Sequence, residues 1–199
     1  MYFSYGTAET EYLKRKDKRL GEAIDTIGHI EREVDADLFT SVVRNIAGQQ
    51  ISSAAHKTVW ARLTGMIRDI SAESINAASR QQIQSCGISY RKADYIKDFA
   101  AKVCAGEFDV NALWHLPDAE VIKRLCALKG IGVWTAEMLL IFCMQRPNVI
   151  SFGDLGIQRA LCMLYNHKQI DRKLFEKYVK RYSPYCSVAS LYLWEISSA

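Results

Sequence analysis

The stretch that decides the fold reads Leu125-Cys-Ala-Leu-Lys-Gly-Ile-Gly-Val-Trp-Thr-Ala136. Residues 117–128 begin with a proline and acids and then place apolar side chains at helical spacing, which predicts a helix. Gly130 and Gly132 bracket an isoleucine and permit a tight turn with positive φ. Apolar residues 133–144 predict a second helix, whose first free N–H groups could bind a phosphate. The stretch therefore predicts two helices joined by a phosphate-binding turn, although a Gly-Ile-Gly sequence could also be an ordinary helix junction.

A second feature is the dipeptide Gly153-Asp154, which follows the second of these helices. Asp154 stands where an N-cap would stand, before apolar residues at helical spacing in 155–164. On this pattern alone Asp154 could be a cap and nothing more. Capping is compatible with catalysis, because a cap would fix the direction of the carboxylate.

The pattern Leu-x-x-Leu-x-Gly-Ile-Gly-x-x-Thr-Ala resembles the helix-hairpin-helix motif, which binds DNA phosphates without reading sequence and also occurs in polymerases and ligases. A hairpin followed by Gly-Asp is similar to the HhH-GPD superfamily of base-excision DNA glycosylases. Within it the sequence most resembles the 3-methyladenine DNA glycosylase II, or AlkA-like, branch. The supporting stretches are Phe39–Ser52 with Gly-Gln-x-x-Ser, Gly87–Ile96 with Gly-x-Ser-x-x-Lys-x-x-Tyr-Ile, and Ser183–Trp194. The resemblance covers roughly residues 37–196.

The resemblance implies that Asp154 is the catalytic residue. A glycosylase flips its target nucleotide out of the stack, and the sugar then develops oxocarbenium character that a carboxylate can stabilise while it directs a water. The start of a helix favours the ionised carboxylate that this needs. The implied wedge that fills the gap is Gln50, although the two glutamines could merely end a helix. The expected DNA-binding residues are Gln49, Gln50, Lys129, Gly130, Gly132 and Thr135.

The resemblance also implies an aromatic base pocket. Alkylated purines carry a positive charge and leave without prior protonation. This suits the chain, because no second carboxylate is spaced in the sequence so as to suggest a general acid. Trp134 and Tyr185 could stack on a cationic ring, and Met138 lies one helical turn beyond Trp134. Bifunctional relatives carry a lysine nucleophile at the position of Trp134. An indole cannot form a Schiff base, so we expect no strand cleavage by that route. Besides Trp134, the sequence differs from the family pattern at Cys186, which follows Tyr185 where related sequences often have arginine.

These features predict a monofunctional DNA glycosylase of base excision repair that removes alkylated purines of the 3-methyladenine and 7-methylguanine type. Two alternatives stay open. The chain could remove an oxidised or deaminated base instead, or it could be a non-catalytic helix-hairpin-helix protein in which Asp154 is only a cap.

Helical patterns dominate, so the predicted fold is all-α, with two lobes and a cleft between them. Lobe one would span about 37–146, with the hairpin at 121–144, and lobe two about 1–36 plus 147–199. The N-terminal β domain of the longer AlkA enzymes has no room here, and Met1–Asp37 would supply a short arm and one helix. The predicted helices are Leu38–Gln50, Ser53–Leu63, Arg91–Ala105, Pro117–Leu128, Val133–Met144, Asp154–Tyr165, Arg172–Tyr182 and Ser187–Ile196, with two short helical turns in Ser71–Ser85.

Composition agrees with this prediction without deciding it. The 199 residues suit one compact unit, and the formal net charge of +4 is only modestly basic. We expect no cofactor, because the cysteines lie far apart and the C-terminal segment offers only Cys186, too few ligands for the iron–sulfur cluster of some relatives. The histidines show no zinc spacing, so no metal is expected on side chains, although the family implies that backbone carbonyls of the hairpin could hold a monovalent cation.

The expected partner is double-stranded DNA containing a damaged base. No signal peptide or membrane span is visible in the sequence. We therefore expect a cytoplasmic monomer, associated with the nucleoid in a bacterium or located in the nucleus of a eukaryote.

Overall fold

The computed structural model describes residues 1–198, and in this range it confirms the predicted all-α fold. The range contains twelve α-helices and one 3-10 helix, and its β structure is a single bridge between Tyr2 and Glu33. The helices are α1 (Thr7–Lys16), α2 (Lys18–Ile27), α3 (Leu38–Gly48), α4 (Ser53–Met66), α5 (Ala72–Ala77), α6 (Arg80–Ser85), α7 (Tyr90–Cys104), α8 (Asp118–Cys126), α9 (Val133–Phe142), α10 (Leu155–Tyr165), α11 (Arg172–Tyr182) and α12 (Cys186–Ser198), with the 3-10 helix at Asn111–His115. None of these helices is long and apolar enough to cross a lipid bilayer.

Asp35–Leu139 forms one of two compact units. It holds α3 to α8 and most of α9, and α7 is central to it, packing against α3, α5 and α6. Phe39 of α3 and Phe99 of α7 stack with ring centroids 4.9 Å apart, and Ile46 and Ile96 on the same two helices are fully buried. These residues lie one or two helical turns apart on each helix, so each helix buries one apolar face.

The other unit contains Met1–Val34 and the chain from Leu140 onward. Its core lies between α10 and α12, with α2 packed against both. The side chains of Leu20, Leu161 and Leu193 are fully buried in it. Since α10 begins at residue 155, this packing fixes the helix that carries Asp154 at its start.

Side-chain caps set the starts of most helices. A serine or aspartate side chain accepts a hydrogen bond from a backbone N–H in the first turn of eight helices. These caps are Asp17, Asp37, Ser52, Ser71, Ser79, Ser89, Asp154 and Asp171. Because a cap and the residues that it serves are neighbours in sequence, most helix starts agree with the prediction to within a few residues.

The prediction of a single helix in the first 37 residues is wrong, because two helices form there, α1 and α2. Asp17 separates them in an extended conformation, with φ −149° and ψ 106°. Its carboxylate accepts hydrogen bonds from the Leu20 N–H, the Tyr165 hydroxyl and the Arg181 guanidinium. The last two partners lie 148 and 164 residues away. A break held by such distant side chains leaves no local signal.

The 3-10 helix at Asn111–His115 was also not predicted. The carboxylate of Asp109 starts it by accepting hydrogen bonds from the N–H groups of Asn111 at 2.9 Å and Ala112 at 3.0 Å. It contains only 5 residues, too few for helical periodicity to be visible in the sequence.

Candidate functional site

Asp154 is the N-cap of α10, as its position in the sequence predicted. Its Oδ1 accepts hydrogen bonds from the backbone N–H of Ile157 at 2.9 Å and from the indole Nε1–H of Trp194 at 3.0 Å. The residue is 8% exposed. Two N–H donors on one oxygen suit an ionised carboxylate, which can only accept hydrogen bonds. The direction of this side chain is therefore fixed from two sides.

The hydrogen bond from Trp194 is a feature that sequence reasoning missed. Trp194 lies on α12, and its ring also packs against Phe142 with centroids 5.4 Å apart. The backbone of Gly156 leaves room for this contact. A Cβ at Gly156 would lie 3.1 Å from Oδ1 of Asp154 and 3.1 Å from Cδ1 of Trp194. Glycine is unfavourable within a helix, so Gly156 in the first turn of α10 was the one sequence feature that indicated a close contact beside Asp154.

The hairpin between α8 and α9 has the predicted form. Of its two glycines only Gly130 adopts a positive φ, 85°. Gly130 also lies against the ring of Tyr95, since a Cβ there would be 2.5 Å from Cδ2 of that ring. Ile131 is buried, as expected for a residue that fills the space between the two helices. The carbonyl of Gly132 accepts the N–H of Ala136 at 3.0 Å and so begins the hydrogen bonding of α9.

Lys129 of the hairpin takes part in an ion pair. Its Nζ lies 2.9 Å from Oδ1 of Asp98, while the other oxygen of Asp98 binds Lys102 at 2.7 Å. The hydrogen bond to Asp98 raises the pKa of Lys129, and the bonds from Lys102 and then Lys129 lower the pKa of Asp98. The Lys129 side chain is 62% exposed. A phosphate that approaches it would meet a cation already fixed in direction by Asp98.

Five of the predicted DNA-binding and pocket residues line one cavity of about 600 Å³ in the unit Asp35–Leu139. Its wall consists of Asn45, Gly48, Gln49, Gln50, Ile51, His56, Gly130, Trp134 and Thr135. Trp134 is 47% exposed there, whereas Thr135 is only 7% exposed. The cavity therefore combines an aromatic face with amide and backbone groups of the hairpin and of the turn after α3.

The turn after α3 contains the Gly-Gln-x-x-Ser pattern, and the structure explains two of its positions. A Cβ at Gly48 would lie 2.6 Å from the ring of His56, so only glycine fits without a shift. Ser52 caps α4. Burial, with a smaller contribution from the charges of Arg44 and Lys92, lowers the pKa of His56. This motif is therefore in part a structural requirement of the α3–α4 junction.

The other predicted pocket residues lie elsewhere. Met138 is buried on α9, one turn after Trp134, and does not line the cavity. Tyr185 and Asp154 belong to the other unit. Tyr185 is half-buried, and its ring meets the edge of Tyr12 with centroids 5.1 Å apart.

The carbonyl groups of the hairpin fit a monovalent cation only in part. The Gly130 carbonyl already accepts the side-chain amide of Gln49 at 2.6 Å, and the Leu128 carbonyl accepts the N–H of Ile131 at 3.2 Å. A cation would have to use the second lone pair of each oxygen. Among residues 1–198 no group of three or more His, Cys, Asp or Glu side chains is arranged to hold a metal ion.

Comparison with known proteins places this geometry in a family. The family described as HhH-GPD superfamily base excision DNA repair protein matches residues 43–184. The chain belongs to this superfamily. The HhH-GPD match includes the turn after α3, the hairpin and Asp154, and it confirms the family predicted from the sequence.

Three similar proteins are each named as a 3-methyladenine glycosylase or glycosidase. YfjP of Bacillus subtilis (strain 168), whose name marks it as a provisional DNA-3-methyladenine glycosylase, is 34% identical over 126 residues, 61% of this chain. The chain covers less than half of that relative, 43% of its length. The structure of a DNA-3-methyladenine glycosidase from Bacillus halodurans superposes with a TM-score of 0.89 at 33% identity, covering 100% of this chain and 93% of that one. The Schizosaccharomyces pombe 3-methyladenine DNA glycosylase in complex with abasic DNA gives a TM-score of 0.84 at 27% identity, covering 97% and 98%.

Proposed function

We propose that this chain is a monofunctional DNA glycosylase that flips an alkylated purine out of duplex DNA and hydrolyses its N-glycosidic bond. The observation that carries the proposal is the Asp154 carboxylate, fixed at the start of α10 by the N–H groups of Ile157 and Trp194. The names of the similar proteins support the substrate class, and the abasic DNA bound to one of them supports duplex DNA as the partner.

The proposed reaction needs one carboxylate. As the bond between C1′ and the purine nitrogen breaks, its electron pair moves to the cationic base, which leaves neutral. The deoxyribose takes on positive charge, and the anionic Asp154 stabilises it. A water then adds to C1′ and gives up a proton, which Asp154 accepts. No general acid is required, because the alkyl group has already placed the positive charge on the leaving group.

Strand cleavage through an enzyme–sugar Schiff base is not part of the proposal. That route needs an amine nucleophile, and the position where bifunctional relatives carry a lysine is Trp134. In our proposal Trp134, which is half exposed in the cavity of the unit Asp35–Leu139, stacks on the flipped base. Gln50 fills the gap in the duplex, and the hairpin binds the backbone through Lys129 and the N–H groups of its turn. We further propose that the protein is a monomer and that it acts in the cellular compartment that contains the genome.

The experiment is base release from duplexes that contain 3-methyladenine or 7-methylguanine, measured under single-turnover conditions. Asp154→Asn keeps the size of the side chain and removes its charge, and we expect it to abolish release while DNA binding is retained. Asp171→Asn is the matched control. Asp171 is also an aspartate N-cap, on α11 in the same unit, and it accepts the Leu174 N–H at 2.7 Å. Its variant should release bases at the wild-type rate.

Three outcomes would change the proposal. Equal release by wild type and Asp154→Asn would reduce Asp154 to a cap, and the chain would be a non-catalytic DNA-binding protein only if neither released any base. Release of an oxidised or deaminated base, with no release of methylated purines, would change the substrate class. A covalent adduct trapped by borohydride would show a lyase route and contradict the monofunctional assignment.

A further inference from the structure

The turn between α3 and α4 holds Gln50 in a backbone conformation that is uncommon outside glycine. Its φ is 56°, in the left-handed region, and its side chain is exposed. Such a conformation is strained for a residue with a Cβ and persists only where surrounding contacts enforce it. The contacts that enforce this one can be identified.

One contact comes from Lys92 on α7. Its Nζ donates to the carbonyl of Ala47 at 3.1 Å and to the carbonyl of Gln49 at 2.5 Å. Both carbonyls belong to the end of α3 or the residue after it, where backbone oxygens lack partners within the helix. Partial burial, with a smaller contribution from the charge of Arg91, lowers the pKa of Lys92. Lys92 therefore fixes the backbone on the N-terminal side of Gln50.

A second set of contacts ties the same turn to the hairpin. The side-chain amide of Gln49 donates to the carbonyl of Gly130 at 2.6 Å. Three residues after Lys92 on α7, the ring of Tyr95 lies against Gly130. Helix α7 thus contacts both the turn that presents Gln50 and the hairpin, and the Gly-x-Ser-x-x-Lys-x-x-Tyr pattern supplies both contacts.

We propose that Lys92 is a positioning residue for base flipping: it holds the turn so that Gln50 is already directed for insertion when the hairpin binds the DNA backbone. The inference rests on the proposed function, because it assigns Gln50 the role of wedge. A turn ordered before binding loses less conformational entropy on insertion than a mobile one. The contacts of Lys92 are with the backbone of the turn, so in this proposal its effect on flipping passes through Gln50.

The test measures flipping separately from chemistry. In an Asp154→Asn background, the fluorescence of 2-aminopurine placed as the target base reports how far it leaves the stack. Lys92→Met should lower the flipping equilibrium by about tenfold, since charge-assisted hydrogen bonds are lost. Lys97→Met is the matched control on the same helix. Lys97 donates to the carbonyls of Asn76 at 2.6 Å and Ala78 at 2.7 Å at the end of α5, away from the turn. This control should flip the base normally.

A double-mutant cycle separates positioning from general loss of stability. If Lys92 acts through Gln50, then Lys92→Met should have no further effect once Gln50→Ala is present. Additive losses, equal loss in Lys97→Met, or normal flipping by Lys92→Met would each overturn the inference. Failure of the wider proposal looks different. If wild-type protein releases no damaged base while the cycle is non-additive, then the reaction is wrong and the role of Lys92 stands. If it releases bases while the effects of Lys92→Met and Gln50→Ala are additive, then the role of Lys92 is wrong and the reaction stands.

Discussion

Replacing Trp194 with phenylalanine removes one hydrogen bond from the Asp154 carboxylate and keeps an aromatic ring in place. The bond lost is Nε1–H to Oδ1, 3.0 Å long. The ring next to Phe142 is retained in a smaller form. The cap from the Ile157 N–H also remains, so the carboxylate stays at the helix start with one of these two donors. The variant therefore tests whether the direction of this carboxylate matters for the reaction.

The size of the effect follows from the bond. A hydrogen bond to a charged group contributes about 1.5–3 kcal/mol, and each 1.36 kcal/mol is a factor of about ten in rate. If the full energy is expressed in the transition state, Trp194→Phe would slow base release by about 10- to 100-fold. We expect the lower end of this range, because the bond from Ile157 remains. The free energy of unfolding should fall by about 1.5–3 kcal/mol or somewhat more, because the bond is lost and the smaller ring leaves a cavity.

The assay is single-turnover release of 3-methyladenine from a duplex, together with the affinity for a duplex that contains a stable abasic analogue. Trp60→Phe in the other unit is the control for a tryptophan-to-phenylalanine change; its ring packs with the Arg44 guanidinium and it has no assigned role in the reaction. A wild-type rate in Trp194→Phe would refute the reasoning. So would a loss of rate that is matched by an equal loss of DNA affinity, since the defect would then lie in binding.

Three further predictions concern other parts of the molecule. In Gly156→Ala the new Cβ would lie 3.1 Å from Oδ1 of Asp154. This contact should displace the carboxylate, so we expect single-turnover release to fall. Urea unfolding should stay near wild type, because alanine favours a helix by about 1 kcal/mol over glycine and this gain offsets the cost of the contact. The pKa of Asp98 is lowered by its bonds to two lysines. The stability that it contributes is therefore present above its unfolded pKa of about 3.9 and is lost as the pH falls through the lower folded value. Asp98→Asn should cost less than about 1 kcal/mol at pH 7 in urea unfolding, and the difference should vanish in acid. Burial raises the pKa of Cys186 to about 12, whereas Cys104 is exposed. A thiol reagent at pH 8 should therefore modify Cys104 and spare Cys186 in the folded protein, as peptide mapping would show.

Each of these has a result that would contradict it. Normal release by Gly156→Ala would show that the carboxylate has room to move. A cost for Asp98→Asn that persists unchanged in acid would mean that the ion pairs are not its source. Rapid modification of Cys186 in folded protein would show that α12 opens locally at its first turn.

The elements that the sequence predicted well are those fixed by near neighbours. Ser89 and the apolar face of α7 are close in sequence, and so are Asp154 and the N–H that it caps. The hairpin was predicted equally well, because its turn needs a residue with positive φ and the glycine that supplies it, Gly130, lies within the motif itself. These features also carry the family, which the match to residues 43–184 confirms.

The contacts that the sequence could not reveal join distant residues. Trp194 reaches Asp154 across 40 positions, and Lys92 reaches Gln49 across 43. The break at Asp17 depends on side chains more than 140 residues away. Periodicity and capping rules describe windows of a few residues, so they identify which carboxylate begins a helix and not which indole orients it. The catalytic, wedge and pocket roles stay predictions until the experiments above are done.

The measurement that tests the central claim most directly is a comparison of two affinities. One duplex carries a pyrrolidine abasic analogue, whose ring nitrogen is cationic like the proposed transition state, and the other carries neutral tetrahydrofuran at the same site. If Asp154 offsets positive charge on the sugar, wild-type protein should bind the cationic analogue about tenfold or more tightly than the neutral one, and Asp154→Asn should bind both equally. A preference for the cation that survives in Asp154→Asn would contradict the claim.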